Sequence, residues 1–295
     1  MSGEHRPFFK LDEGISIEVI GADALTIANN LTTNDIKALR ENTSCESFVT
    51  NAKGWTVAHG FVLKMPDRIR LFGQHPSPSL ICEHIDRYII REDARISDLS
   101  AQQTLLLVAQ PDIPADCSDG IQRLPTPIAD YDLLVLPREQ EPGVVELLGH
   151  GASVGELQLG SADEFEELRV LNFWPLKGRE IGEKTIPKEL DRDTQAISYT
   201  KGCYLGQETV ARLDARGQLN KKMCRLQFPS GSAPKVGDKI KQGEKDAGEV
   251  TSVAKESCQA LAVLRRGTFD EGAVLNTELG DVTVLAPIAS GPSEA

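Results

Sequence analysis

The sequence predicts an α+β chain that ends in a small antiparallel β-barrel. Three observations support this. The chain has 295 residues and 40% apolar content, enough to bury a substantial core and to form two domains. Up to about Leu219, segments with alternating apolar residues are interspersed with segments of helical period. From Lys222 onward only short apolar runs remain, separated by Gly-rich turns, and regularly spaced strands of this kind close into barrels.

Taken in order, Ile15 to Ile20 alternates apolar and polar residues before Gly21 and reads as a half-buried strand. Asp23 then caps a helix running to about Asn30. Phe48 to Thr50 and Thr56 to Lys64 are strands flanking a Lys53-Gly54 turn, and Arg68 to Phe72 is a third. Pro78 to Ile90 reads as a helix, Thr104 to Ala109 and Leu133 to Leu136 as apolar strands, and Pro137 to His150 as a helix. Ser161 with Asp163 and Glu164 opens a helix to about Asn172, because acidic residues favour a helix N-terminus. Gln195 to Thr200 reads as a turn leading into an extended segment. The barrel strands are Met223 to Phe228, Asp238 to Ile240, Glu249 to Ala254, Gln259 to Leu264, Ala273 to Asn276 and Asp281 to Leu285. The domain boundaries expected from this texture are 1–218 and 219–288, with a disordered tail over 289–295.

Acidic residues outnumber basic ones by 44 to 32, giving a net charge of −12. Broad nucleic-acid binding needs a basic footprint, so it is not expected. A local group of cations remains: Lys177, Arg179, Lys184, Lys188, Lys201, Arg212 and Arg216. For most of them a solvated surface is the plain reading. No apolar run is long enough to span a membrane, and the first residues lack a signal-peptide core. The six cysteines are scattered, with no Cys-x-x-Cys, so a reducing cytoplasm is expected and no metal site is read. Gly151-Ala152-Ser153-Val154-Gly155 has nucleophile-elbow spacing, yet a helix precedes it and all five histidines come earlier in the chain, which excludes that triad.

The densest chemistry lies in Lys201-Gly202-Cys203-Tyr204-Leu205-Gly206-Gln207-Glu208, continued by Thr209-Val210-Ala211-Arg212. The residues after Gly206 read as a helix start, whose unpaired N–H groups and partial positive charge favour a nearby thiolate. Lys201, two residues from Cys203, adds charge of the same sign. Cys203 as a small buried turn residue is the alternative, since free cysteine is among the most buried residue types.

This run resembles the hallmark of the YgfZ family, folate-binding proteins related to GcvT, the aminomethyltransferase (T-protein) of the glycine cleavage system. Leu31-Thr32-Thr33-Asn34-Asp35, Thr50-Asn51-Ala52-Lys53-Gly54 and Ile186-Pro187-Lys188-Glu189-Leu190 resemble further segments of the same family. The resemblance implies a multi-subdomain GcvT-like folate-binding region ahead of the barrel. It also implies tetrahydrofolate or another reduced folate as cofactor, and a role in assembling or repairing iron–sulfur clusters of selected enzymes. Iron–sulfur enzymes or cluster-assembly proteins would be the partners. Cys203 and Lys201 become candidate catalytic residues, with Asn34, Glu180, Tyr204, Gln207, Glu208 and Arg212 as candidate cofactor-binding residues. Phe173, Trp174, Tyr204 and Trp55 are candidate aromatic walls.

The resemblance to the aminomethyltransferases breaks at one place. Their acid pair follows the Asn-x-x-Gly turn, and here those positions hold Ala58 and His59. Where they place an acid near the pterin, this chain reads Arg169-Val170-Leu171, which leaves Glu180 as the candidate replacement. Aminomethyl transfer is therefore not expected. A folate-dependent one-carbon transferase or demethylase is one competing reading, and a non-catalytic adaptor for iron–sulfur proteins is another.

Overall fold

The computed structural model of the chain describes residues 7–113, 120–126, 128, 130–151, 158–216 and 219–286. In chain order, β1 (Phe9–Lys10), β2 (Gly14–Ile20), α1 (Ala24–Leu31), β3 (Thr43–Thr50), β4 (Thr56–Lys64), β5 (Arg68–Gln74), α2 (Pro78–Asp86), β6 (Arg95–Asp98), β7 (Gln103–Ala109), β8 (Gln122–Pro125), β9 (Tyr131–Pro137) and α3 (Glu141–Gly151) come first. Then follow α4 (Ala162–Leu171), α5 (Asp193–Ala196), α6 (Gln207–Arg216), β10 (Lys221–Gln227), β11 (Lys239–Gln242), β12 (Lys245–Ala254), β13 (Gln259–Arg265), β14 (Val274–Thr277) and β15 (Gly280–Val284). No helix among the described residues is long and apolar enough to cross a membrane.

The chain folds into two compact units. The first takes Met1–Asn29, Ile36–Glu46 and Gly60–Ala162, and the second takes Asn30–Asp35, Ser47–His59 and Asp163–Ala295. In the first, a four-stranded sheet runs β1-β7-β9-β8. Its β7 and β9 are apolar along almost their whole length, as expected of strands covered on both faces. Leu106, Val108, Leu134 and Leu136 pack with Val144 and Leu148 of α3, one turn apart on that helix. A five-stranded sheet runs β3-β4-β5-β2-β6, and its β3 and β4 carry residues of both units.

In the second unit, β10-β13-β12-β11-β14-β15 close into an antiparallel barrel. All six expected barrel strands are present, with ends moved by a few residues. Strand alternation gives the barrel two apolar faces. Cys224, Leu226, Ala260, Ala262 and Leu264 fill its interior. Met223 and Leu261, their neighbours in sequence, instead pack with Phe48, Val170, Phe173, Ile181, Leu190 and Val210 in a separate core. The barrel is thus a structural wall for the segments ahead of it.

A buried ion network crosses the same unit. Arg169 and Glu180 have fully buried side chains and meet at 3.2 Å. Arg169 also reaches Glu166 and the Trp174 carbonyl, both at 2.7 Å, and donates to the Ser252 hydroxyl on β12. Ser252 in turn donates to the other Glu180 oxygen at 2.6 Å. Burial and these carboxylates act on Arg169 in opposite directions, and the carboxylates keep it charged.

Local chemistry explains the differences from the expected elements. Tyr88 and Ile89 donate to acceptors three residues back, a tightening that ends α2 at Asp86 rather than Ile90. Helix α3 begins at Glu141 because Pro142, lacking an N–H, fits only a first turn, and Arg138–Gln140 forms a short 3-10 turn ahead of it. The short strands β1, β6 and β8 pair with remote partners and have too few residues to show a period. The Ser153 elbow-like segment and the tail over 289–295 lie outside the described residues.

Gly206 precedes α6 with φ +81, and a Cβ there would sit 2.5 Å from the Gly54 Cα and 2.6 Å from the Asn51 carbonyl oxygen. Gly206→Ala should therefore lower unfolding free energy by about 3 kcal/mol in a urea titration. Glu180→Gln should cost about as much, because it weakens the charge balance of a fully buried Arg169. A loss under 1 kcal/mol for either would show a backbone or an ion network that yields readily.

Candidate functional site

Three of the motifs singled out in the sequence meet in the second unit. The segment Gln195–Gly206 has little regular structure of its own, so its backbone groups need partners elsewhere. They find them on residues 30–35 and 50–54. Ser198 N–H donates to the Thr33 carbonyl at 3.0 Å, and Leu205 N–H to that of Asn30 at 2.8 Å. The Thr33 hydroxyl donates to the Ala196 carbonyl at 2.6 Å, and Asn34 Nδ2 to that of Gln195 at 3.0 Å. The Thr50 hydroxyl closes the set on the Leu205 carbonyl at 2.6 Å.

The turn after β3 is equally determined. Asn51 Oδ1 accepts from the N–H groups of Lys53 and Trp55, and Asn51 N–H donates to the Trp55 carbonyl. Such a side-chain-to-backbone turn needs asparagine or aspartate. Gly54 has φ +76, and a Cβ there would lie 2.9 Å from Thr209 Cβ on α6. Gly54 and Gly206 thus each leave the room in which the other segment's backbone or α6 packs.

Lys201 is buried, and its ammonium donates to the carbonyls of Thr32 at 2.8 Å and Asn34 at 2.6 Å. These carbonyls follow the end of α1, where helical partners run out. Its Nζ also lies 5.2 Å from the centre of the Tyr204 ring. The donors that would let Lys201 act on Cys203 are thus directed at backbone oxygens and an aromatic face. Tyr204 is buried too, and burial, aided by Tyr199 and Asp193, pushes its phenol well above the usual range, so it stays protonated. Between these two anchors, Gly202 and Cys203 are exposed, with open space in front of Gly202.

The remaining predicted residues separate into two groups. Gln207 is half-buried at the start of α6, while Glu208 and Arg212 stand exposed one turn apart on it. The side chains of all three, and the Tyr204 hydroxyl, have no protein hydrogen-bond partner among the described residues. Asn34 instead uses its side chain on the Gln195 carbonyl and the Asp35 N–H. Glu180 is fully buried, with both oxygens taken by Arg169, Ser252 and the Leu176 N–H.

At the two positions that lack the acid pair, Ala58 and His59 are buried. The His59 ring stacks on Phe48 at 4.7 Å and meets Trp174 at 4.3 Å. Arg192 completes the column, with its guanidinium carbon 5.4 Å from the Trp174 ring centre. The sequence marked Trp174 as an aromatic wall and gave no sign of its place between His59 and Arg192, which are 133 residues apart in the chain. Lys188, between Asp193 and Asp214, is held protonated well above the usual lysine range.

No family model matches the chain. Among curated proteins, it is 27% identical over 265 residues to the "putative transferase At1g60990, chloroplastic" of Arabidopsis thaliana, covering 80% of this chain and 59% of that protein. It is 30% identical over 158 residues to the "tRNA-modifying protein YgfZ" of Yersinia enterocolitica, covering 53% and 45%. To the protein of the same name from Blochmanniella pennsylvanica it is 24% identical over 93% of this chain and 92% of that one. The matches thus span less than two thirds of the Arabidopsis and Yersinia proteins and nearly all of the Blochmanniella protein. Among solved structures, aminomethyltransferase T of the glycine cleavage system from Bartonella henselae superposes with a TM-score of 0.77 at 17% identity, over 97% of this chain and 86% of that one. The hallmark run, the two motifs that hold it and the shared architecture point the same way: the chain is similar to YgfZ-type proteins and is built on the GcvT-like fold.

Proposed function

We propose that the chain binds tetrahydrofolate or another reduced folate and supports the assembly or repair of iron–sulfur clusters in selected enzymes. One observation carries the reading: on the fold of an aminomethyltransferase, three motifs lock together so that only Gly202 and Cys203 of the Lys201–Tyr204 segment face solvent. The residues present fit a folate. Tyr204 and, on the helix that follows it, Gln207, Glu208 and Arg212 offer polar groups with no hydrogen-bond partner among the described residues. Asn34 holds the segment ahead of the run through the Gln195 carbonyl, whereas Glu180 is committed to the Arg169–Ser252 network. When bound, a reduced folate supplies a carrier for one-carbon groups. Tyr204 would donate a hydrogen bond to it, and the carboxylate of Glu208 would accept one. Arg212 would pair with an anionic group.

Aminomethyl transfer is not part of this reading, because Ala58 and the stacked His59 ring supply no carboxylate where the acid pair would stand. The relatives' printed name refers to tRNA modification. A net charge of −12 does not favour broad RNA binding, and the reading takes iron–sulfur enzymes or cluster-assembly proteins as the partners. A reducing cytoplasm suits the five described cysteines, all of them free.

Anaerobic titration calorimetry with tetrahydrofolate should give saturable binding that Tyr204→Phe weakens. No heat at high micromolar ligand would remove the folate from the proposal.

Cys203 is the exposed one of the five described cysteines, while burial pushes the Cys82 thiol up to about 11 and that of Cys224 up to about 12. Near neutral pH Cys203 should therefore alkylate fastest, as read by mass spectrometry of all six sites. Cys203→Ala should fold normally and fail to restore iron–sulfur enzyme activity in cells lacking the protein. Restoration by Cys203→Ala would reduce the run to architecture.

Lys201→Gln should cost about 2 kcal/mol of stability, since two buried carbonyls lose their donor, and should leave the Cys203 alkylation rate of the folded protein unchanged. A slowed rate with unchanged stability would make Lys201 the activator of the thiol instead.

A further inference from the structure

The Asn51–Trp55 turn, against which the Lys201–Gly206 segment packs, also carries a group of cations that the reading above does not use. Lys53 Nζ lies 4.6 Å from the Trp55 ring centre, and Lys184 Nζ lies 5.7 Å from the same ring. Both lysines are exposed, and neither makes an ion pair among the described residues. Lys10, Lys188, Lys221, Lys222, Lys239 and Lys255 all sit against carboxylates.

A third cation reaches the backbone of the residue after Trp55. Lys177 is half-buried, and its ammonium donates to the carbonyl of Thr56, the residue after Trp55, at 3.2 Å. Burial lowers its pKa, with Glu183 opposing from a distance and making no ion pair. The Thr56 hydroxyl is itself buried with no hydrogen-bond partner among the described residues. The arrangement is built, not incidental. Thr56 N–H donates to the Thr185 carbonyl at 2.7 Å, which draws Lys184 to Trp55, and Asn51 fixes the backbone of Lys53 and Trp55.

Gathering like charges without counter-charges is unfavourable in the free protein, and an incoming anion relieves it. Both ammonium groups lie over the indole, so its face is not open for stacking a base. The cations are lysines, which act as mobile point charges, with no arginine fork shaped for phosphate. We infer that Lys53, Lys184 and Lys177 around Trp55 form a receptor for a chain of adjacent carboxylates, as carried by a glutamyl tail on a small molecule or by an acidic peptide segment.

The test uses the full chain and calorimetric titration with a pentaglutamate peptide at low salt. Binding is expected, weakening as salt rises and falling about tenfold in the double variant Lys53→Gln/Lys184→Gln. The matched charge loss Lys235→Gln/Lys241→Gln near the barrel should change it little. No binding, or equal loss in both double variants, overturns the inference, as does tighter binding of tripolyphosphate than of the peptide.

Tetrahydrofolate with one and with five glutamates separates the two sources. An affinity gain from the longer tail that disappears in Lys53→Gln/Lys184→Gln assigns the receptor to a small-molecule tail. Peptide binding without such a gain assigns it to an acidic protein segment. Failure of the one-glutamate ligand to bind would sink the folate reading alone, because the peptide carries no pterin.

Discussion

The close approach of Gly54 and Gly206 is the constraint on which the rest of the site depends. Each occupies a positive φ, and each would drive a Cβ into the other's surroundings. Their contact brings the start of α6 onto the turn after β3. With that in place, the Thr50 hydroxyl reaches the Leu205 carbonyl, and Leu205 N–H reaches that of Asn30. The segment carrying Cys203 then has its backbone groups satisfied by two other stretches of chain. An irregular segment held in this way keeps one shape without being a helix or a strand.

Lys201 shows how the same residue type can serve structure where charge alone suggested chemistry. A buried ammonium must have its donors used, and the Thr32 and Asn34 carbonyls after α1 accept from it. The Tyr204 ring covers the remaining side. The exposed thiol next to them therefore sits on a rigid base. The His59 column likewise puts a titratable residue type to structural use. A stack of Phe48, His59 and Trp174 under Arg192 fills space with aromatic surface where a pair of acids would need solvation or partners.

The barrel and the ion network supply the stiffness behind this. Strand alternation gives β10 and β13 residues for two cores, one inside the barrel and one shared with α4 and α6. The Arg169–Glu180 pair then connects α4 to Ser252 on β12, with every Arg169 N–H directed at a partner and both Glu180 oxygens accepting. Its complete satisfaction makes a fully buried pair tolerable.

The sequence by itself determined the elements with a clear period, the six barrel strands among them, because alternation and turn residues are local properties. It also marked the three motifs that build the site, since an octapeptide of such composition is distinctive without any structure. The pairing of Gly54 with Gly206 was not legible, for nothing local says which distant backbone a glycine must admit. The same holds for Lys201, whose partners Thr32 and Asn34 are more than 160 residues away, and for Glu180, which reads as a free acid until Arg169 and Ser252 close on it. Local periodicity follows from the covalent chain, whereas the partner of a buried polar group is chosen by packing between segments far apart in sequence, and only the tertiary structure decides it.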